Sequence, residues 1–182
     1  MFSSVRQGNE DAAPRTSGHI ARDSRRVNGL SSHGAANAIT TAMALTLSLA
    51  IIAFAAAFHL YWAFGGRLGY SVSLPQQPDG RPVMHRRLPW WRPAALGVAL
   101  ALAILAALLL AQAGQLAMPL PKDLARPVLL AVGIAFVARA FVPNRYVGFF
   151  KFLRTTRWAK YDTRLYSPLF LILGTLILIQ AL

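Results

Sequence analysis

Four long apolar runs constrain this chain more than any other feature, because nearly all of its charged residues lie outside them. The runs cover about residues 39–64, 93–118, 127–142 and 166–182. About 20 apolar residues in a helix cross the roughly 30 Å hydrocarbon core of a bilayer. Backbone groups in lipid must also be paired within their own segment, which favours helices. The sequence therefore predicts an all-α integral membrane bundle of four transmembrane helices.

The first 37 residues have a different composition, rich in Ser, Gly, Asn, Ala and Arg and poor in large apolar residues. Such a segment buries too little apolar surface to offset the entropy lost on ordering. The sequence thus predicts two parts: a disordered polar tail over 1–37 and a four-helix transmembrane domain over 38–182.

A stripe of small residues runs along the second predicted span. Its members are spaced by four: Ala95, Ala99, Ala103, Ala107 and Ala111. Small residues at this spacing let another helix backbone approach closely. The stripe favours a packing face, although alanine is frequent enough here to produce part of it by accident.

The net charge of +13 comes from 19 Lys and Arg residues against 6 Asp and Glu residues. These basic residues flank the apolar runs, so anionic lipid head groups are the predicted partner and nucleic acid is not. The chain has no cysteine, which excludes disulfides, thiolate catalysis and Cys-ligated metals. No second His, Asp or Glu lies at ligand spacing from His59, so neither a metal nor a cofactor is expected.

The distribution of basic residues predicts an orientation. More of the Lys and Arg residues near the spans lie in the loops 65–92 and 143–165 than on the side of the termini. The positive-inside bias then places both loops in the cytoplasm and both termini outside. This orientation requires the arginine-bearing tail to be exported.

With four spans, the two longer loops lie at one membrane face, and most residues with chemical capacity lie at that face or near it. We predict a ligand-binding face there and no catalytic residue. Its candidate members are His59, Tyr61, Trp62, Arg139, Arg145, Tyr146, Asp162, Arg164 and Tyr166.

Three of these candidates have two interpretations each. The imidazole of His59 shuttles protons in one, and is an interfacial group bonded to a neighbouring helix in the other. Arg139 either extends to the interface or contacts an anion from within the bundle. Asp162, the lone acid of a basic loop, is a general base in one, and in the other, which the lack of a second carboxylate favours, a salt-bridge or helix-cap partner for Arg145, Arg157 or Arg164.

Two stretches carry a resemblance to a known family. They are His59-Leu60-Tyr61-Trp62-Ala63-Phe64-Gly65-Gly66 and Asn144-Arg145-Tyr146-Val147-Gly148-Phe149-Phe150-Lys151, the second continuing to Asp162-Thr163-Arg164-Leu165-Tyr166-Ser167-Pro168. Over about 45–182 the chain resembles a bacterial family of small four-span membrane proteins classed as a domain of unknown function. The resemblance implies a multi-pass protein of the plasma membrane and no particular activity.

The residues favour a non-enzymatic binding, transport-associated or accessory protein. Its loop face would engage an anionic lipid or small anionic ligand through Arg139, Arg145 and Arg164. One alternative is a membrane enzyme acting on a lipid or isoprenoid, with His59 as acid–base and Arg139 as electrostatic clamp. Another is a structural partner of a second membrane protein, bound through the alanine stripe.

Overall fold

The computed structural model describes the backbone of residues 17–83, 90–117 and 122–182, and the side chains of 34–83, 90–117 and 124–182. Its helices are α1 (Ser17–Ala63), α2 (Tyr70–Ser73), α3 (Trp91–Gln112), α4 (Lys122–Phe141), α5 (Arg157–Tyr161) and α6 (Ser167–Ala181). A π-helical turn over Asp162–Tyr166 makes α5 and α6 one continuous rod. Within the described residues, extended pairing is limited to an isolated antiparallel bridge between Gln76 and Pro82.

The prediction of four membrane-spanning helices is confirmed. Within the described ranges, four helices are long and apolar enough to span a bilayer: Gly34–Ala63, Trp91–Gln112, Leu124–Phe141 and Arg157–Ala181. Only 22–28% of the most apolar window of each is buried inside the protein. A water-soluble bundle would bury far more of such surface, whereas lipid covers it at no cost.

The predicted polar tail falls mostly outside the described side chains. Residues 1–16 are not described, and α1 begins at Ser17, within the segment assigned to the tail. The residues up to Ile39 form a unit separate from the compact unit Thr40–Leu182. Disorder of the tail and its boundary at residue 37 therefore stay predictions.

The end of the second span and the start of the third differ from the sequence prediction. The second span ends at Gln112 and not near Met118, because Gly114 adopts a left-handed φ of 71°. The amide of Gly114 donates to the carbonyl of Ala111 and that of Gln115 to Leu110, a Schellman-type termination. The helix of the third span, α4, already includes Lys122, so Pro127 lies inside the helix and does not start it.

The fourth span begins well before the predicted Tyr166. Helix starts at Arg157, after Thr156, whose Oγ1 accepts a hydrogen bond from the amide of Ala159 at 3.1 Å. A side-chain cap of this kind satisfies one of the amides that a helix start leaves unpaired. The segment predicted as the second half of a loop is thus a helical extension of the span.

The core lies between α1, α3, α4 and α6. Its buried residues come from all four spans: Leu45, Ile52, Leu105, Leu108, Leu109, Ala125, Leu129, Leu173, Ile177 and Ala181. Near the membrane face opposite the loops, Arg126 donates from Nε to the carbonyl of Ala181 at 2.9 Å. The start of α4 therefore meets the end of α6, and the two helices run antiparallel.

The closest helix crossing lies between α4 and α6, away from the alanine stripe. A Cβ added at Gly174 would lie 2.9 Å from the carbonyl oxygen of Gly133, so the two backbones nearly touch. Of the stripe, Ala95 and Ala99 are buried but Ala103 is exposed. Two of the five stripe residues are thus buried within the protein, and the crossing that most needs small residues uses glycine.

Candidate functional site at the loop face

The two long connections meet at one end of the bundle, which we call the loop face: the end of α1, the starts of α3 and α5, the end of α4 and the segments joining them. Arg92 Nε donates to the carbonyl of Ala63 at 2.8 Å, which joins α3 to α1. The amide of Trp158 donates to Oε1 of Gln76 at 3.0 Å, which joins the two connections. Gln76 is buried and also donates to the carbonyl of Ser71.

The aromatic residues at the end of α1 stabilise a turn. The hydroxyl of Tyr61 accepts hydrogen bonds from the amides of Arg67 and Leu68, at 3.1 and 3.2 Å. Trp62 Nε1 donates to the carbonyl of Leu68 at 2.8 Å. A Cβ on Gly66 would overlap the ring of Tyr61, so glycine is required where the chain turns back under this ring.

His59 bonds within its own helix. Its Nδ1 lies 2.8 Å from the carbonyl oxygen of Ala55, and because a carbonyl only accepts, Nδ1 carries the proton. The ring packs edge-on against Trp62 with 5.2 Å between centroids. This geometry matches the interfacial interpretation, except that the partner is not a neighbouring helix. No group of three His, Asp or Glu able to hold a metal occurs among the described residues.

The central polar feature of the loop face is a buried carboxylate, Asp162, with no exposed surface. Its Oδ1 accepts from Arg139 Nη2 at 2.9 Å. Its Oδ2 accepts from the amide of Gly148 and from Lys151 Nζ, each at 2.9 Å, and from Ser167 Oγ at 3.0 Å. We call these residues, together with Thr163, the Asp162 network.

Lys151 is the second buried member of this network, with a side chain only 1% exposed. Its ammonium donates to Asp162, to the carbonyl of Gly148 at 2.8 Å and to Thr163 Oγ1 at 2.7 Å. All three of its protons are therefore used, as a buried ammonium requires. Phe150 and Phe152 flank Lys151 in the sequence, and both of their rings are exposed. In this segment the aromatic side chains therefore face outward and the lysine side chain faces inward.

The π turn explains how one carboxylate reaches partners on both sides. In an α-helix, positions i and i+5 point about 140° apart. Between Asp162 and Ser167 the turn is wider, with the amide of Ser167 bonded to the carbonyl of Asp162. Both side chains then lie on the same side of the rod and hydrogen-bond to each other. Single π turns inside α-helices occur often at functional sites.

Gly148 locks the network to the end of α4. Its φ of 87° is left-handed, and an added Cβ would lie 2.7 Å from the carbonyl oxygen of Arg139 and 3.0 Å from that of Ala140. The following amide, that of Phe149, donates to the carbonyl of Ala140 at 2.8 Å. The chain therefore passes directly across the last turn of α4 and satisfies one of its free carbonyls.

Arg139 is partly buried and faces the same carboxylate. Its side chain is 21% exposed, and its guanidinium carbon lies 4.0 Å from the centre of the Phe170 ring. Nη1 is buried without a hydrogen-bond partner. Arg139 is thus an ion-pair partner of Asp162, a role that neither sequence interpretation contained. Two cations share one carboxylate, which leaves the network with one excess positive charge.

An open cavity of about 240 Å³ adjoins the Asp162 network and shares Thr163 with it. The lining residues are Phe149, Arg154, Ala159, Lys160, Thr163 and Arg164. Arg154 is fixed through its Nε, which donates to the carbonyl of Lys151 at 3.1 Å. The hydroxyl of Thr163 accepts from Lys151 and donates to the carbonyl of Ala159 at 3.1 Å, so its proton is already used.

The structure brings together five of the nine predicted site residues. Arg139 and Asp162 form the ion pair, Arg164 lines the cavity, and Tyr166 stacks on Trp158 with 5.1 Å between centroids. The carbonyl of Tyr146 accepts from the Trp158 indole at 2.8 Å.

The other four predicted residues lie at the edges of the loop face. His59, Tyr61 and Trp62 make the bonds described above at the end of α1. Arg145 is exposed, with its guanidinium carbon 5.4 Å from the centre of the Tyr146 ring. Asp162 is an ion-pair partner as predicted, but its cations are Arg139 and Lys151. Arg145, Arg157 and Arg164 are exposed instead.

Sequence reasoning missed the partners that make the site: Gln76, Gly148, Lys151, Thr163 and Ser167. Lys151 ends the first part of the second stretch that carries the resemblance, but it is not among the predicted site residues. One signal in the sequence could have found them. Asp162 is a single acid in a strongly basic stretch, and if its helix faces the protein, its carboxylate needs at least one buried cation as a partner.

Comparisons with known proteins give one match. The sequence profile of a family described as a protein of unknown function, DUF3995, matches residues 51–177. No curated protein and no solved structure matches the chain. The matched residues run from the middle of α1 to near the end of α6 and include both stretches that carry the resemblance. Since they make up well over half of the sequence, the chain belongs to the DUF3995 family, whose members are described as proteins of unknown function.

Proposed function

We propose that this protein is a non-enzymatic membrane protein that binds an anionic lipid head group in the cavity at its loop face. The observation that carries the proposal is the lining of the cavity: among the described residues, three cations and no acid line it, namely Arg154, Lys160 and Arg164. In the described part of the chain, no carboxylate pairs with any of them. Their charge is therefore available to a ligand.

The contrast with the Asp162 network supports this assignment. There the charges of Arg139 and Lys151 are largely met by a buried carboxylate and fixed acceptors. In the cavity, Arg154 uses only its Nε, and its two terminal amino groups remain for a ligand. A guanidinium fork suits phosphate oxygens, and a basic residue at a membrane surface gains about 1 kcal/mol from anionic lipid.

The depth of the cavity favours a lipid. Arg164 precedes Pro168, the second residue of α6, by four positions, or about 6 Å along the rod at the usual helical rise. The head-group layer on each side of a bilayer is of similar thickness, about 5–8 Å. With the apolar residues from Pro168 onward placed in the hydrocarbon core, Arg164 lies at the level of the lipid phosphates.

The lining favours binding over catalysis. Of the described lining residues only Thr163 carries a hydroxyl, and that hydroxyl already donates to a backbone carbonyl. Among the described residues, neither a carboxylate nor an imidazole lines the cavity, so none of them is placed as a general base for the bound group. His59, the proposed acid–base of the alternative, makes its bonds at the end of α1.

The proposal includes a location and an orientation. Placed in a bacterial plasma membrane with the loops cytoplasmic, the cavity meets the anionic inner leaflet, to which basic segments are attracted. A second membrane protein is the other proposed partner, through the exposed part of α3.

The test compares two triple variants in lipid nanodiscs made of phosphatidylcholine with a minority of phosphatidylglycerol. Arg154→Gln, Lys160→Gln and Arg164→Gln remove the cavity charges, and the control replaces Arg67, Arg145 and Arg157 by Gln. Both remove three exposed positive charges from the same face. We expect bound phosphatidylglycerol, counted by native mass spectrometry, to fall at least about fivefold in the cavity variant only. Equal loss in both variants would mean diffuse surface attraction and would contradict the proposal.

A further inference from the structure

We infer that the group held in the cavity is a terminal phosphate, a phosphomonoester or diphosphate, in preference to a phosphodiester head group. The inference rests on the proposed function and names its ligand class. It follows from three properties of the cavity: its number of cations, their arrangement, and the lack of other free polar groups in its lining.

The number of cations exceeds what a phosphodiester needs. A phosphodiester carries a single negative charge, whereas a phosphomonoester carries about −1.5 to −2 at pH 7 and presents three acceptor oxygens. The described lining of the cavity offers three cations and no acid. Each of the three free oxygens of a terminal phosphate can pair with one of the three cations. A phosphodiester leaves at least one cation without an oxygen partner.

The three cations come from two segments of the chain that line the same cavity. Lys160 and Arg164 are four positions apart on the rod that begins at Arg157, and Arg154 comes from the preceding irregular segment. The Nε bond to Lys151 fixes the stem of Arg154, which lowers the entropy lost when its fork binds. The Asp162 network therefore holds both walls of the cavity at a set distance, since Lys151 bonds to Thr163 on the opposite wall.

The other described lining residues offer no hydrogen-bond acceptor to the head-group alcohol of a phosphodiester lipid. Phe149 and Ala159 are apolar, and the proton of the Thr163 hydroxyl is used within the protein. The hydroxyls of a glycerol head group or the ammonium of an ethanolamine head group find no free side-chain acceptor among these residues. Selection by the cavity then depends on charge, and a phosphate without a second ester is the best match.

The experiment offers the full chain two anionic lipids at once. Nanodiscs contain phosphatidylcholine with equal minor amounts of phosphatidic acid, a phosphomonoester, and phosphatidylglycerol, a phosphodiester. The ratio of the two lipids that stay bound is read by native mass spectrometry. We expect a preference of about tenfold for phosphatidic acid at pH 7.5 in the wild type and in the Arg67, Arg145 and Arg157 control. In the Arg154, Lys160 and Arg164 variant the ratio falls toward one.

Two further arms test the chemistry. At about pH 5 the monoester has lost its second charge, since its second pKa is about 6, and the preference should shrink toward one. In the second arm, inorganic diphosphate is added at millimolar concentration. If it displaces phosphatidic acid, the phosphate alone is sufficient for binding; if phosphatidic acid stays bound, the cavity requires a phosphate that is linked to a lipid. Both results support the inference, and they distinguish the source of the phosphate.

The two proposals fail separately. Equal retention of both lipids by the wild type, with loss of both in the cavity variant, overturns the preference for a terminal phosphate and leaves anionic lipid binding intact. Retention of neither lipid by the wild type overturns both proposals. A preference that persists at pH 5 or in the cavity variant also overturns the inference, because it then has another origin.

Discussion

Replacing Asp162 with Asn removes the negative charge of the buried network while keeping the shape of the side chain. Four donors now converge on the two carboxylate oxygens, three of them on Oδ2. An amide has only one oxygen, so its NH₂ group must face either Arg139 or the other three donors. Either orientation sets donor against donor and leaves two cations without a counter-charge.

The magnitude follows from the burial of the partners. Removing one member of a buried ion pair costs about 3–5 kcal/mol, because the other charge stays desolvated. Lys151 is 1% exposed, so it meets this condition, although Gly148 and Thr163 still accept two of its protons. We therefore expect Asp162→Asn to lower the free energy of unfolding by about 3–5 kcal/mol.

A double-mutant cycle isolates the pair. Lys151→Met alone leaves Asp162 with Arg139, Gly148 and Ser167, so its expected cost is smaller, about 1–3 kcal/mol. The double variant should cost less than the sum of the single variants, with a coupling of about 1.5–3 kcal/mol. Unfolding is followed by circular dichroism as sodium dodecyl sulfate is added to mixed micelles.

The control for this cycle is an exposed ion pair in the same protein. Arg81 and Asp79 lie 3.5 Å apart with side chains 80% and 50% exposed. Exposed pairs contribute about 0–1 kcal/mol, so Asp79→Asn should leave the unfolding curve nearly unchanged. The reasoning is refuted if Asp162→Asn costs no more than Asp79→Asn, or if Lys151 and Asp162 show no coupling.

Three further predictions use matched positions. Gly148→Ala should lower the free energy of unfolding by about 2–4 kcal/mol, which is more than the effect of Gly114→Ala. Both glycines have a left-handed φ, but only Gly148 has backbone oxygens where a Cβ would lie. Equal costs would contradict the packing described for Gly148. In the spans, Gly133→Ala should destabilise the protein by about 1–3 kcal/mol. Gly97 has open space around it, so Gly97→Ala should be neutral or stabilise the protein by up to about 1 kcal/mol. The same unfolding assay measures both variants, and the opposite order would contradict the close crossing of α4 and α6. The chain has no cysteine, so Asp79→Cys gives a single label site, which an impermeant maleimide should leave unlabelled in intact cells and label after lysis; labelling of intact cells would reverse the orientation.

The sequence was sufficient for the bundle because the spans are defined by composition over long windows. It was less reliable at their ends, which depend on single residues. Pro127 fits a helix start in sequence, yet the helix already includes Lys122 and tolerates the proline within it. Arg157 lies in a basic stretch without an apolar run, and the capping that starts a helix there involves Gln76, far away in the chain.

The site was less predictable than the fold because its central contacts are long-range. Lys151 is one of several basic residues in its segment, and no local pattern distinguishes the buried one from exposed neighbours such as Arg154. Its partner Asp162 lies eleven positions away, beyond an irregular segment, and is oriented by a π turn. The close crossing at Gly133 and Gly174 was missed because single glycines give less signal than a row of alanines.

The most direct test of the account is the lipid that the protein retains when it is extracted in mild detergent from the membrane in which it is made. Mass spectrometry of the lipids co-purified with the wild type should show enrichment of anionic lipid over the bulk membrane composition. The enrichment should vanish when Arg154, Lys160 and Arg164 are replaced by Gln, and persist in the control lacking Arg67, Arg145 and Arg157. Wild-type protein carrying lipid in the proportions of the bulk membrane would contradict the account.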